Sequence, residues 1–145
     1  MRHRLLAESD GRRTFAVTLE TGEEAVAGLT AFATELGLGT SQVTAVGGFQ
    51  RVRLGYFDAQ TSGFRENQVN EQVELLSMVG NIADSAEGTP KLHAHVVLGC
   101  SDATTRGGHL IEAVVRPTLE AIIEETPAHL KRQLDAKTGL VLLQP

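Results

Sequence analysis

Three histidines are the residues of this chain best suited to chemistry. His93 and His95 lie two positions apart in Leu92–Leu98, a run whose paired valines predict a strand. Residues i and i+2 of a strand point to the same face, so both imidazoles can reach one point in space. His109 follows after the turn-forming stretch between Gly99 and Gly108. A returning strand would bring it back beside the pair.

Three neutral imidazoles around one point describe a metal site. Histidine is the commonest metal ligand, and three protein ligands with an open fourth position are the pattern of a reactive zinc site. The sequence therefore predicts a divalent metal, zinc-like, bound by His93, His95 and His109. A structural alternative stays open, in which the pair lies on a solvent-facing strand and His109 caps a turn.

Composition narrows the class of protein. The chain has 145 residues, which predicts one domain over residues 1–145. Its 13 Lys and Arg against 18 Asp and Glu give a net charge of −5, which argues against a general nucleic-acid binder. Cys100 is the one cysteine, so no internal disulfide can form. No apolar run resembles a signal peptide or a membrane span, so we expect a cytoplasmic protein without a membrane partner.

Hydrophobic spacing predicts an α+β fold, a mainly antiparallel sheet with one main covering helix at Glu23–Leu36. Thr21 is the expected N-cap, Glu24 completes a capping box, and Gly37 and Gly39 end the helix. The remaining expectations are strands at 13–19, 42–46, 49–57, 67–82 (broken near residue 71), 92–98 and 139–143, a polar turn at 58–64, strands or short helices at 109–115 and 118–125, and a short helix at 127–134.

The strand pattern also predicts self-association. Alternation places Val52, Leu54 and Tyr56 on one strand face, and Leu76 and Met78 on one face of another strand. A single helix can cover only part of such a sheet. The uncovered apolar face would exceed what monomers usually expose, so we expect it to be buried between subunits.

The order of these segments resembles the plants-and-prokaryotes-conserved (PPC) domain family. The stretches that carry the resemblance cover roughly residues 13–125. They are the helix-opening Gly22-Glu23-Glu24 after an early strand, the strand Ser41–Gly48 with its small-residue turn, the segment VELLSMVGNI at 73–82, and Pro90–Leu98 followed by Gly107-Gly108-His109-Leu110, which is similar to a prokaryotic "LHxHxxL … GGHL" pattern.

The resemblance implies an antiparallel sheet with a packed helix and a homotrimer. Plant members carry an AT-hook, but the basic stretches of this chain, Arg2-His3-Arg4 and Gly11-Arg12-Arg13, lack its Gly-Arg-Pro core. Plant members also generally lack the three histidines, which indicates that the fold does not need them. The leading hypothesis is a metal-binding homotrimer with a regulatory or ligand-binding role. The alternatives are a metal-dependent hydrolase or lyase using the open metal position, and a DNA-binding protein.

Other polar residues are weaker candidates. Glu74 and Glu112 could supply a fourth ligand or a general base, although solvated surface positions are the more common outcome for such residues. Cys100 is expected to act as a small buried hydrophobe. Arg51 and Arg53 share a strand face that could bind an anion, but such pairs more often form surface or intersubunit salt bridges. The remaining histidines, at positions 3 and 129, have no partner in the motif.

Overall fold

Strand pairing dominates the fold. The computed structural model describes residues 1–60 and 63–144, and within these residues nine strands belong to one sheet that a single helix accompanies. In chain order the elements are β1 (Arg2–Ser9), β2 (Arg12–Glu20), α1 (Ala25–Glu35), β3 (Ser41–Asp58), β4 (Gly63–Val69), β5 (Val73–Asp84), β6 (Pro90–Gly99), β7 (Thr105–Glu125), β8 (Lys131–Leu134) and β9 (Val141–Gln144). The predicted α+β class, a mainly antiparallel sheet with one main helix, is confirmed.

Four of the strands close into a ring. β3 pairs with β5 and with β7, and β6 pairs with the same two strands, so the hydrogen-bonded circuit has no free edge there. Side chains that point into the ring form the core, among them Val43, Met78, Val96 and Ile123. Because β6 is held on both edges, the strand that carries His93 and His95 has a fixed position in the fold.

The helix begins at Ala25, two residues later than expected. Glu24, not Thr21, is the N-cap: its carboxylate accepts hydrogen bonds from the backbone N–H groups of Val26 (3.1 Å) and Ala27 (2.6 Å). Two otherwise unpaired N–H groups of the first turn are satisfied in this way. The Thr21 hydroxyl instead donates to the Pro117 carbonyl at 2.9 Å, so the predicted cap was wrong.

Close contact fixes α1 against the sheet. The Phe32 ring meets the edge of Phe15 from β2, with ring centroids 5.4 Å apart. A Cβ on Gly28 would lie 2.8 Å from Leu19, so glycine lets the helix approach β2 closely. Gly37 follows the helix with a φ of 56°, a conformation that glycine adopts without strain, and the predicted helix end is confirmed.

Two long strands replace pairs of predicted shorter ones. β3 runs through the expected stop at Gly47 and Gly48, with a bulge between Ala45 and Gly47. Gly47 has a φ of 147°, and a Cβ there would lie 2.3 Å from the Thr118 carbonyl oxygen. These glycines therefore mark a close approach of β3 to β7, and they do not mark the end of β3. β7 likewise covers 105–125 without interruption. In the predicted turn at 58–64, positions 61 and 62 lie outside the described residues.

The C-terminal segment is a β-hairpin, and the predicted helix at 127–134 was wrong. β8 and β9 pair from Lys131 to Gln144. Their connection is fixed by Asp135, whose Oδ2 accepts hydrogen bonds from the Thr138 N–H (3.0 Å) and hydroxyl (2.7 Å), and by Gly139 with a φ of 70°. Local turn chemistry thus outweighed the helical spacing of apolar residues.

The apolar residues expected on uncovered strand faces divide between the core and the surface. Val52, Leu54 and Met78 lie in the core, whereas Tyr56 and Leu76 are exposed. A bulge between residues 75 and 77 puts Leu76 and Met78 on opposite faces, contrary to the prediction. Tyr56 lies where β3 and β4 continue past the last β3–β7 pair, beyond the core. Within residues 1–60 and 63–144, no helix has the length and apolar character needed to span a membrane.

Candidate metal centre

The structure brings the three predicted histidines together. His95 lies directly opposite His109 in the β6–β7 pair, and His93 points to the same face as His95. Their ring centroids are 5.1 to 5.5 Å apart, and one nitrogen from each ring lies within 4.8 Å of the others. Backbone pairing therefore sets the geometry of the cluster, as the i and i+2 spacing predicted.

The electrostatic environment favours neutral imidazoles. Burial, followed by the charges of Arg132, His109 and His95, lowers the pKa of His93 to about 4. Burial, followed by the charges of His95 and Arg132, also lowers the pKa of His109. Neutral imidazole is the form that binds a metal, so these two rings are ready to act as ligands at pH 7.

The donor set fits a tetrahedral ion after small ring rotations. Zinc–nitrogen bonds of about 2.0–2.1 Å place tetrahedral ligand nitrogens about 3.3 Å apart. The three nitrogens, already within 4.8 Å of one another, need only converge slightly. Metal binding would therefore draw the three rings closer together.

A pocket of about 750 Å³ opens over the cluster. Its size suits a small organic molecule. Its polar lining includes the three histidines, Lys91, Ser85 and Arg132, and none of the described lining residues is Asp or Glu. Its apolar wall is formed by Tyr56, Phe57, Phe64, Leu92, Leu140, Val141 and Leu142.

Arg132 brings a buried positive charge to the pocket. Its side chain comes from β8 and is only 6% exposed. One guanidinium nitrogen, Nη2, donates a hydrogen bond to the Asn81 side-chain oxygen, and Asn81 pairs across the sheet with His93. The Nε has no hydrogen-bond partner among the described residues. Burial lowers the pKa of Arg132, yet a guanidinium stays protonated at neutral pH.

The other proposed ligands do not join the cluster. Glu112 forms an ion pair with Arg53 at 3.2 Å, and Glu74 is exposed on β5. Cys100 is partly buried against the core, as expected of a small hydrophobe. Within residues 1–60 and 63–144, the group of metal-ligating side chains that includes the histidines contains no carboxylate or thiol.

Arg53 and the two remaining histidines have structural partners. Arg53 also pairs with Glu66 at 3.3 Å, which confirms the salt-bridge interpretation for this residue. His3 packs on Phe32 with ring centroids 5.0 Å apart, and the His129 ring lies beside Gly39. Neither histidine belongs to the cluster.

Sequence reasoning missed two residues that shape the site. Arg132 was assigned to a helix, and nothing in its local sequence marks it as facing the histidines. Gly80 lies opposite Ala94, and a Cβ there would be 2.4 Å from the His93 carbonyl oxygen. Glycine thus lets β5 support the histidine strand at close range. The Asp135–Gly139 turn was the signal that could have revealed the hairpin carrying Arg132.

Comparison with solved structures shows the same fold in proteins of known source. A plant- and prokaryote-conserved protein from Pyrococcus horikoshii is 28% identical, with 92% of each chain covered and a TM-score of 0.85. A protein from Archaeoglobus fulgidus, described as metal-containing, is 26% identical, with 100% of this chain and 99% of that chain covered and a TM-score of 0.86. A candidate DNA-binding protein from Bacteroides thetaiotaomicron is 23% identical, covering 98% and 96%, with a TM-score of 0.85, and shows the fold alone.

Family comparison agrees with the structural matches. The search of curated proteins returned no match. The family model for the Plants and Prokaryotes Conserved domain, abbreviated PCC or PPC, matches residues 6–127, which is most of the chain. The chain belongs to the plants-and-prokaryotes-conserved domain family.

Proposed function

We propose that this protein binds one divalent metal ion per chain, zinc-like, through His93, His95 and His109, and that the ion serves a ligand-binding or regulatory role. The observation that carries the proposal is the convergence of three imidazole nitrogens within 4.8 Å in a ligand-sized pocket. The lowered pKa values of His93 and His109 support it, because they keep both rings unprotonated at neutral pH.

The relative from Archaeoglobus fulgidus adds independent support. It is described as metal-containing and aligns over essentially the whole of both chains. A metal in a relative of this coverage favours metal binding by this chain as well. The identity of the ion is our inference from the donor set, since nitrogen ligands in a small tetrahedral site suit zinc.

Three protein ligands leave one coordination position open. A bound divalent ion would polarise whatever occupies that position, either a water molecule or a ligand oxygen. The described pocket lining holds no carboxylate to act as a general base. A hydrolase or lyase would therefore need a different group as its general base.

We further propose that the protein is a homotrimer. An outer apolar patch crosses four adjacent strands and consists of Val46, Leu76, Val79, Val97 and Ile122, each at least 39% exposed. Contiguous apolar surface of this kind typically marks a subunit interface. His95 is exposed on the same outer side of β6, so a neighbouring subunit could complete the metal site.

The proposal includes a cytoplasmic location and no nucleic-acid partner. Cys100 lacks a second cysteine with which to pair, and the net charge of −5 opposes binding to phosphate backbones. Similarity to a candidate DNA-binding protein at 23% identity supports the shared fold and gives no reason to assign that role here.

Metal analysis of protein purified without a His tag tests the metal proposal. After dialysis against zinc and removal of unbound ions, we expect about one zinc per chain in the wild type. The His93→Ala/His95→Ala double variant should lose the zinc while keeping its circular dichroism spectrum. His3→Ala, which alters a histidine outside the cluster, is the matched control and should retain it. A wild type that cannot be loaded would contradict the proposal.

A further inference from the structure

The unusual feature of the pocket is a buried guanidinium without a carboxylate partner. Arg132 is 6% exposed, yet no Asp or Glu in residues 1–60 and 63–144 forms an ion pair with it. Among the same residues, its Nε lacks a hydrogen-bond partner as well. Leaving a charge in this state costs stability, because desolvation is not offset by pairing. An anion that enters the pocket would supply the missing partner.

The charge of the whole pocket leads to the same conclusion. The chain carries more acidic than basic residues, yet the described lining contains Arg132 and Lys91 and no carboxylate. A divalent ion held by three neutral imidazoles would add two further positive charges. Such a concentration of positive charge in a largely apolar cavity selects negatively charged ligands.

We propose that the pocket binds a small organic carboxylate, one oxygen of which occupies the open metal position while the carboxylate accepts hydrogen bonds from Arg132. The inference rests on the proposed metal site. Arg132 is close enough to the cluster for its charge to act on both His93 and His109, and all three side chains line the same cavity. A planar guanidinium matches the two oxygens of a carboxylate.

The rest of the pocket indicates what the carboxylate carries. Aromatic and aliphatic side chains, including Tyr56, Phe64 and Leu142, form much of the remaining wall. An apolar substituent on the ligand would be buried against them. Phosphate fits less well, because it carries no apolar group to bury against this wall. The expected ligand is therefore a monocarboxylic acid with an aromatic or branched aliphatic group.

Arg132 and part of the apolar wall belong to a segment of the chain that the family model does not include. The family match ends at residue 127, whereas Arg132, Leu140, Val141 and Leu142 belong to the C-terminal hairpin. The hairpin thus adds both the charge and part of the apolar wall to a site whose histidines lie on family strands. We expect it to determine which ligand the metal centre accepts.

Calorimetry on the zinc-loaded full chain tests the inference, with phenylacetate as probe and phenylacetamide as its neutral counterpart. We expect phenylacetate to bind at least tenfold more tightly than phenylacetamide. Arg132→Met should weaken phenylacetate binding by about tenfold to hundredfold, since it removes a charged hydrogen bond. Arg106→Gln, which alters an exposed arginine on β7, should change neither affinity.

A second measurement reports the metal contact itself. In cobalt-substituted protein, phenylacetate should shift the visible absorption bands of the ion, and phenylacetamide should not. Arg132→Met should retain about one zinc per chain and a cooperative melting transition, because removal of the buried unpaired charge offsets the loss of the hydrogen bond to Asn81. If this variant does not fold, the wild-type comparison between acid and amide still decides the question.

The outcomes separate the two proposals. Equal binding of acid and amide to zinc-loaded wild type, or tighter binding of inorganic phosphate, would overturn the carboxylate subsite and leave the metal site standing. Unchanged phenylacetate affinity in folded Arg132→Met would also overturn it. Failure to load zinc would overturn the metal site and the metal–carboxylate contact together, and phenylacetate binding to that metal-free protein would then support only the Arg132 half of the subsite.

Discussion

The lowered pKa of His93 should make the metal-free protein less stable in mild acid, because the unfolded chain takes up a proton that the folded chain does not. The pKa of this imidazole is about 4 in the folded chain, chiefly because of burial, against about 6.5 in an unfolded chain. Between these two values the unfolded state binds a proton that folded His93 does not. The contribution of His93 to the free energy of unfolding is therefore constant above pH 6.5. It declines as the pH falls toward 4 and changes little below pH 4.

The size of the effect follows from the difference between the two pKa values. A gap of about 2.5 pH units corresponds to roughly 3 kcal/mol. The ring is only partly buried, so solvent screening reduces the contribution to on the order of 2 kcal/mol. In a chain of this length such a loss lowers the melting temperature by roughly 4–8 °C.

Urea unfolding of EDTA-treated protein at pH 7 and pH 4, at one fixed protein concentration, measures the effect. His93→Gln cannot take up the proton, so we expect it to lose about 2 kcal/mol less than the wild type over this range. The variant is needed to isolate the contribution of His93, because other groups with lowered pKa values, including Glu125 and His109, also change stability over this pH range. His3→Gln is the control and should behave as the wild type does. Equal losses in wild type and His93→Gln would show that His93 does not cause the loss of stability.

Three further predictions concern the strand that holds the site, the assembly and nucleic acid. Gly80→Ala should lower stability by about 1–3 kcal/mol and weaken zinc binding, since its Cβ would meet the His93 carbonyl oxygen at 2.4 Å; chemical denaturation and zinc titration measure both, and an unchanged variant would contradict the close approach. Light scattering should give about 46.5 kDa, three times the 15.5 kDa chain, and Val79→Glu should reduce this mass; a wild-type mass near 15.5 kDa at micromolar concentration would contradict the trimer. No gel shift of A·T-rich duplex should occur at submicromolar protein and physiological salt, and a persistent shift would show that nucleic acid is a partner.

Local sequence patterns predicted the histidine cluster because its geometry depends on strand periodicity. His93 and His95 share a face through their spacing alone, and a hairpin of ordinary length returns His109 to the same place. The helix Ala25–Glu35 was also found, since its apolar spacing and the following Gly37 agree. In these regions local preference and tertiary packing favour the same structure.

Features that depend on distant contacts were not predictable in the same way. The bulge beside Leu76 reverses which side chains face the core, and alternation alone gives no sign of it. The first strand, Arg2–Ser9, is exposed along its whole length and lacks an apolar face to detect. Arg132 reaches the histidines because a C-terminal hairpin docks beside β5, a placement that local sequence does not encode.

Zinc K-edge X-ray absorption of untagged, zinc-loaded protein identifies the ligands of the bound ion. We expect nitrogen or oxygen ligands at about 2.0–2.1 Å, with the multiple-scattering features of three imidazoles. His109→Ala should reduce the imidazole count while leaving the fold intact. A sulfur ligand at about 2.3 Å, which Cys100 would have to supply, or a spectrum with no imidazole scattering would contradict the assignment of the metal to His93, His95 and His109.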